Sequence, residues 1–387
     1  TPRMMPNGQR LPILNLTRDI KISGTADGMS HIRIVGTKPQ TIRYVEISFM
    51  GVPRFRTDGI NVGVLGRYGL HFHMMDAGSR GSLVEGVVIK HTGNWAFATH
   101  ESDGVTHRNN IAYDVERGAF TWDDETVTND ILYDRCVGAF VHQAPGTRGG
   151  IRINAFNLLH GVGSIVRNCL ATGVMGTIDA SGFHWPEGTP IINGVRLQEG
   201  VWGFEGTNIA LANKRHGIFT WQNTAREHVV STQGKFISIN CGDAVTTRRT
   251  AQISHGAYGN RYQYHDFDLW NPPGGTGIIV HALSSGPSVL RTDGYGLAFE
   301  NGTIHGGLTA FYFPKHNTPG GGVATLYRNI AMTGQSGKAV VVNESQNSGV
   351  NPGKHDFRNC TVDGRRMTMA DVQIISAPPG LRISILP

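Results

Sequence analysis

A short phrase keeps returning along this chain, and it constrains the fold more than any other feature. A hydrophobic or aromatic residue is followed by Arg-Asn or a close variant, then by two or three mostly apolar residues, then by a turn. It reads HRNNIAY at 107–113, YDRCVG at 133–138, VRNCLATG at 166–173, FENGTIHGG at 299–307, YRNIAMTG at 327–334 and FRNCTVDG at 357–364. A second phrase follows several copies: GAFTW at 118–122, GAFVH at 138–142 and GIFTW at 217–221. Strand-like phrases that return every ~20–30 residues describe a stack of similar units, each burying its apolar side against the next. A parallel β-solenoid accommodates 387 residues as one domain, because each coil touches only its neighbours.

Composition agrees. Charged residues make up only 17 % of the chain, and 52 glycines punctuate its whole length. No helical spacing of apolar residues persists beyond a couple of turns; β-branched and aromatic runs between Gly, Asn and Asp dominate. The expected layout is one all-β domain over 1–387. Cap strands occupy 1–50 (LTRDIKI, HIRIVG, TIRYVEISFMG), coils run over 60–345, and closing strands fill 350–387. Gly/Pro-rich excursions at 143–161, 183–194, 271–277 and 314–322 read as loops leaving one side of the stack.

The formal charge of +6 is diffuse and carries no Lys/Arg-rich run, which argues against a nucleic-acid partner and suits an anionic polysaccharide. No stretch approaches ~18 consecutive apolar residues, so no membrane span is expected. Three of the four cysteines, Cys136, Cys169 and Cys360, occupy the same slot of the Arg-Asn phrase and read, with Cys241, as small buried hydrophobes. Of the sequons at Asn15, Asn301, Asn343 and Asn359, the last is expected inside a coil.

Side chains alternate between lumen and surface along a strand. With small and β-branched residues placed inward, Ala119, Thr121, Ala139, Val141, Ile218 and Thr220 face the lumen. Phe120, Trp122, Phe140, His142, Phe219 and Trp221 then face out. In the same frame Leu70 and Phe72 face in, His71 and His73 face out, and Phe97 and Thr99 face out. The expectation is one sheet wall whose columns of aromatics and histidines rise about 4.8 Å per coil. Such a wall suits sugar rings, whose C–H faces stack on aromatics while their hydroxyls need polar partners.

Three segments carry a family likeness: LTRDIKISG at 16–24, GRYGLHFHMMDAGS at 66–79, and the run from Val84 through the HRNNIAY phrase. Together they resemble the right-handed β-helix region of the cell-migration-inducing and transmembrane hyaluronidases and of fibrocystin-like proteins. Gly69 stands where that family's pattern has Pro, which leaves the HFH spacing intact. The resemblance covers roughly residues 15–145. It implies a single-stranded right-handed parallel β-helix, of about 12–15 coils by the repeat count, and a hyaluronan-like polysaccharide partner at the cell surface or outside the cell.

Chemistry concentrates on the same wall. His71 and His73 project to one side and make a workable metal pair for zinc or calcium if His100, one coil on, supplies a third ligand. Asp76 and His91 are further candidates. Asp123 with Glu101 meets the carboxylate spacing a glycoside hydrolase needs. Elimination instead needs a base, His73 or His100, and a cation from Lys90, Arg108 or Arg117. Phe97, Phe120, Trp122, His142, Arg67, Arg117 and Asp124 complete the expected substrate contacts. His184, Trp185, Glu187, Trp202, His216 and Trp221 lie further along as distal subsites. The alternative of another class is a structural or receptor-binding module, such as a trimeric phage tail or adhesin component on a virion.

Overall fold

The computed structural model describes residues 4–57, 59, 61–122, 127–142, 153–157, 161, 163–176, 180–184, 191–192, 195–196, 202–220, 230–232, 235–242, 250–256, 262–281, 291–314, 324–343, 354–377 and 379–387. Among these the chain winds as a right-handed parallel β-helix. Among them, no helix is long and apolar enough to cross a membrane.

Each coil lays one short strand on each of three walls. The coil built from the first repeat phrase shows the pattern: Thr106–Arg108, then Ile111–Glu116, then Gly118–Trp122. The third wall is a separate twelve-stranded sheet running from Ile32–Ile34 to Val372–Ser376. The first two walls are joined into one sheet, because Leu297–His305 and Ala324–Thr333 pass from one to the other without a break.

The recurring phrase encodes the corner between these first two walls. Its Asn sits in the left-handed region, with φ of 53° at Asn109, 55° at Asn168, 55° at Asn301, 56° at Asn329 and 51° at Asn359. Asn tolerates that conformation better than most residues, and it turns the chain through the bend. Stacking the bends lines up the amides. Asn359 Nδ2 donates to Asn329 Oδ1 at 2.8 Å, and Asn329 Nδ2 donates to Asn301 Oδ1 at 2.9 Å. Asn359 therefore lies exposed on the outside of the bend, not inside the coil. A second left-handed bend, at His91, Asp114, Phe140 and Gly173 among others, turns the chain onto or toward the twelve-stranded wall.

The residue two places before the Asn points into the lumen. Tyr264, Phe299, Tyr327 and Phe357 stack there with centroids 4.8, 5.6 and 4.4 Å apart and planes within 11°. The residue after the Asn also points inward, which places Cys136, Cys169 and Cys360 in the core. All four cysteines are free and buried, and the Cys136 amide donates to Cys169 Sγ across adjacent coils at 3.4 Å.

The residue between the aromatic and the Asn points outward and builds an alternating charge ladder. Arg43, Glu85, Arg108, Asp134, Arg167 and Glu205 stand in register on successive coils. Their ion pairs measure 3.1, 4.0, 3.4, 3.2 and 3.8 Å in that order. Asp134 also meets Arg135 at 3.2 Å. Opposite charges one coil apart replace the repulsion that a column of like charges would produce.

The side-chain phase expected for the twelve-stranded wall holds for some strands and reverses for others. Leu70, Phe72 and Ile218 face the lumen as expected. Phe97 and Phe120 do too, against expectation, and they are 1 % and 0 % exposed. They form a second stack with Phe156 and Phe183, with spacings of 4.8, 4.9 and 5.0 Å. The physical reason is the coil repeat itself: a rise of about 4.8 Å matches the stacking distance of parallel rings, so a lumen column takes aromatics as readily as alanines. Thr99 also faces in, within 3.2 Å of His107 Nε2, and Thr121 faces out. Trp122 pairs in register with Thr99. Phe140 and His142 point outward, but their strand, Val137–His142, belongs to the second wall. Within the excursion expected at 143–161, Asn154–Asn157 is a wall strand that carries Phe156 into the stack.

Candidate metal centre

Two strands position the histidines. Leu70–Asp76 and Phe97–Ser102 are parallel neighbours, with His71 opposite Ala98 and His73 opposite His100. Strand alternation turns His71 and His73 to the outer side once Leu70 and Phe72 fill the lumen. Left-handed residues, Met74 at φ 53° and Glu101 at φ 43°, bend both strands just past the cluster, and the register slips there.

The three imidazoles converge. One nitrogen from each of His71, His73 and His100 lies within 4.8 Å of the others. Ring centroids are 4.8 Å apart for His71–His73, 5.0 Å for His73–His100 and 6.0 Å for His71–His100. His71 is fully buried, whereas His73 and His100 are half-buried and reach solvent.

Residues 61–68 cover His71, with the Gly66 carbonyl and the Tyr68 ring against it. Asn94 Nδ2 donates to the carbonyls of Val64, Arg67 and Val52 at 3.0, 3.2 and 3.3 Å, tying the loop to the wall. Asn61 Nδ2 donates to the Gly93 carbonyl at 2.8 Å. Tyr68 meets His71 edge-on at 4.6 Å and Trp95 at 4.8 Å, and the Arg117 guanidinium lies 4.8 Å over Trp95. Under this roof the Gly66 carbonyl lies 3.0 Å from His71 Nδ1. A carbonyl only accepts, so Nδ1 carries the proton, and Nε2 presents its lone pair. That Nε2 atom is buried and has no hydrogen-bond partner. Burial pushes the His71 pKa down to about 3, against the pull of the Gly66 carbonyl, and the nearby His73, His100 and Arg33 add to the depression. The ring is neutral at ordinary pH.

The remaining expected site residues distribute as follows. Arg67 is exposed on the roof loop. Arg117 is half-buried against Trp95 and donates to Asn94 Oδ1 at 2.9 Å. Lys90 pairs with Glu46 at 3.1 Å, and Arg108 belongs to the charge ladder. Glu101 follows His100 but contributes no oxygen to the cluster. Phe97 and Phe120 are lumen residues and present no ring to a sugar. Asp123, Asp124, Trp185, Glu187 and Trp221 lie outside the described residues, as do the side chains of Trp122 and Trp202. His184 and His216 stand buried on the twelve-stranded wall, flanking Phe219.

His142 and His91 serve a corner instead. His91 Nδ1 and His142 Nε2 clamp the two oxygens of Asp114 at 2.6 and 2.7 Å. Partial burial works to raise the Asp114 pKa, but the hydrogen bonds from His91 and His142 outweigh it and hold the carboxyl below its ordinary value. Glu116, two residues on, goes the other way because burial dominates over the hydrogen bond from Asn61.

One neighbour went unread in the sequence. Arg33 pairs in register with His71 from the preceding coil, and its Nη2 lies 3.4 Å from His73 Nδ1. The alternation of HIRI at 31–34 against LHFH at 70–73 is the signal that places it.

The catalytic domain of a GH87 α-1,3-glucanase, solved with tetrasaccharides, superposes with a TM-score of 0.54 at 14 % identity. The match covers 94 % of this chain and 58 % of the glucanase chain, so this chain spans less than two thirds of that neighbour's length. Tailspike protein 3 of bacteriophage CBA120 aligns with a TM-score of 0.40 at 10 % identity, over 95 % of this chain and 56 % of that one. The A-module of the Azotobacter vinelandii mannuronan C-5 epimerase AlgE4 aligns with a TM-score of 0.39 at 13 % identity, over 89 % and 91 %. At 14 % identity the glucanase likeness is one of fold. No curated protein matches in sequence. Over residues 29–152, the span that holds the three histidines and their roof, the chain matches the family model of the CEMIP beta-helix.

Proposed function

We propose that this chain binds and cleaves an extended, uronate-containing polysaccharide across the outer side of the twelve-stranded wall, at the cluster of His71, His73 and His100. The observation that carries this reading is the convergence of three imidazoles on that wall, two of them open to solvent, beside the exposed Arg33. The family match over residues 29–152 supports a hyaluronan-like polymer, and the glucanase likeness supports a sugar-cleaving use of the same fold. Such a polymer places the protein outside the cell or at its surface.

Imidazole chemistry fits elimination better than a two-carboxylate hydrolysis, because no carboxylate among the described residues joins the cluster. A base at the cluster removes the proton at C5 of the uronate. The electron pair forms the C4–C5 double bond as the C4–O bond breaks, and the leaving oxygen takes up a proton. A guanidinium such as that of Arg33 pairs with the uronate carboxylate and offsets the charge that builds at C5.

The test is a screen of hyaluronan, alginate and an uncharged glucan, read by new reducing ends and by ultraviolet absorbance of unsaturated ends. Turnover is expected on a uronate polymer and falls at least ~100-fold in His100→Ala, with polymer binding retained. Reducing ends without unsaturation would replace elimination by hydrolysis. No cleavage and no retardation of the protein in polysaccharide-containing gels would end the proposal.

A further inference from the structure

We propose that His71, His73 and His100 form a three-imidazole site for a divalent first-row transition metal, zinc before others. His71 supplies the fixed ligand. Its Nδ1 proton is held by the Gly66 carbonyl at 3.0 Å, its Nε2 is buried and unpartnered, and the ring sits within the three-histidine cluster. A backbone carbonyl that sets the tautomer and aims the other nitrogen is the usual outer shell of a metal-binding histidine. A purely structural role leaves that acceptor buried without a donor, which folded chains rarely keep.

The distances suit a preformed but open site. Tetrahedral zinc with Zn–N near 2.0–2.1 Å needs ligand nitrogens about 3.3 Å apart. The three present nitrogens lie within 4.8 Å. The half-buried His73 and His100 rings close the difference by side-chain rotation, while His71 stays in place under Tyr68. Three imidazole nitrogens and no carboxylate select zinc or a similar ion over calcium, which takes oxygen ligands. The fourth position opens to solvent, where Arg33 stands ready for an anionic group. A zinc ion held this way lowers the pKa of bound water to about 7 or polarises a carboxylate.

The test uses the full chain, stripped with chelator and titrated separately with Zn²⁺, Co²⁺ and Ca²⁺, with elemental analysis for stoichiometry. About one zinc per chain is expected, with the intense visible bands of tetrahedral cobalt(II) and no calcium uptake. His73→Ala and His100→Ala, which leave the lumen untouched, should each weaken zinc binding at least ~10-fold with unchanged circular dichroism. His91→Ala, an imidazole of the Asp114 corner, should bind zinc as the unaltered chain does. Fewer than ~0.2 zinc per chain, calcium in place of zinc, or equal affinity in the two ligand variants and the unaltered chain would overturn the site. None of these readouts uses a sugar, so failure here and failure of the polysaccharide reading are separate results.

Discussion

Phe120→Ala separates lumen from outer wall in one substitution. The side chain is fully buried, and its ring stacks on Phe97 at 4.8 Å and on Phe156 at 4.9 Å. Tyr133 and His107 meet it edge-on at 5.4 and 6.2 Å. Truncating a buried Phe costs about 3–5 kcal/mol, through lost transfer energy and a cavity that the surroundings only partly fill. Collapse is restricted here, because the backbone ladders on both sides hold the coil spacing. The expected loss is therefore in the upper part of that range. On the outer wall the same change would cost less than about 1 kcal/mol and would weaken sugar binding instead. The assay is urea unfolding followed by far-ultraviolet circular dichroism, beside Thr121→Ala, whose outward hydroxyl accepts from Asn157 Nδ2 at 3.2 Å. That control should lose about 1 kcal/mol. Coils stack in one dimension, so the coils around Phe120 should melt first. A loss under about 1 kcal/mol for Phe120→Ala, together with lost polysaccharide binding, would refute the assignment of this ring to the lumen.

Two further predictions concern charge. Asp134→Ala removes the anion shared by Arg108, Arg135 and Arg167, and should cost about 1–3 kcal/mol in urea unfolding at pH 7, the half-exposed arginines limiting the loss. Burial tends to raise the Asp134 pKa, but the Arg167 hydrogen bond and the charges of Arg167, Arg135 and Arg108 prevail and lower it. Its contribution is thus present above an ordinary Asp pKa of about 3.9 and fades as pH falls below it; a variant as stable as the parent at pH 7 would remove the ladder from the argument. Burial alone pushes His107 down to about 3, and burial first, then neighbouring charges, does the same to His216. Each therefore favours the folded state fully above about pH 6.5 and loses about 1.4 kcal/mol per pH unit below it, down to its folded pKa. His107→Leu should flatten the stability–pH slope between pH 6 and 5 by one histidine's share; an unchanged slope would contradict it.

Much of the fold was legible because a solenoid repeats its local constraints. The Arg-Asn phrase reads as a repeating strand unit whose Cys slot faces inward, and Cys136, Cys169 and Cys360 lie in the core, while the left-handed corner at its Asn shows only in the fold. The histidine cluster was legible for the same reason. Strand alternation places His71 and His73 together, and one coil period brings His100 opposite His73. The aromatic columns were misread because a periodicity of two assigns alternate residues to two sides without saying which side is the lumen. Small residues suggest an inward side, yet stacked rings fill the tube as well, and Phe97 and Phe120 lie there. The strand of Phe140 and His142 was assigned to the wrong wall because the phrase GAFVH resembles GAFTW, while Phe140 itself adopts φ 52° and forms the second bend.

The linear order of residues thus determined the repeat and the grouping of three imidazoles, since each depends on contacts within a strand or one coil away. Only the folded chain decided which imidazole is buried, which nitrogen carries its proton and which cation stands beside it. Those properties arise from residues 61–68 closing over His71 and from Arg33 arriving one coil earlier, and distant segments meeting in space leave no local periodicity to read.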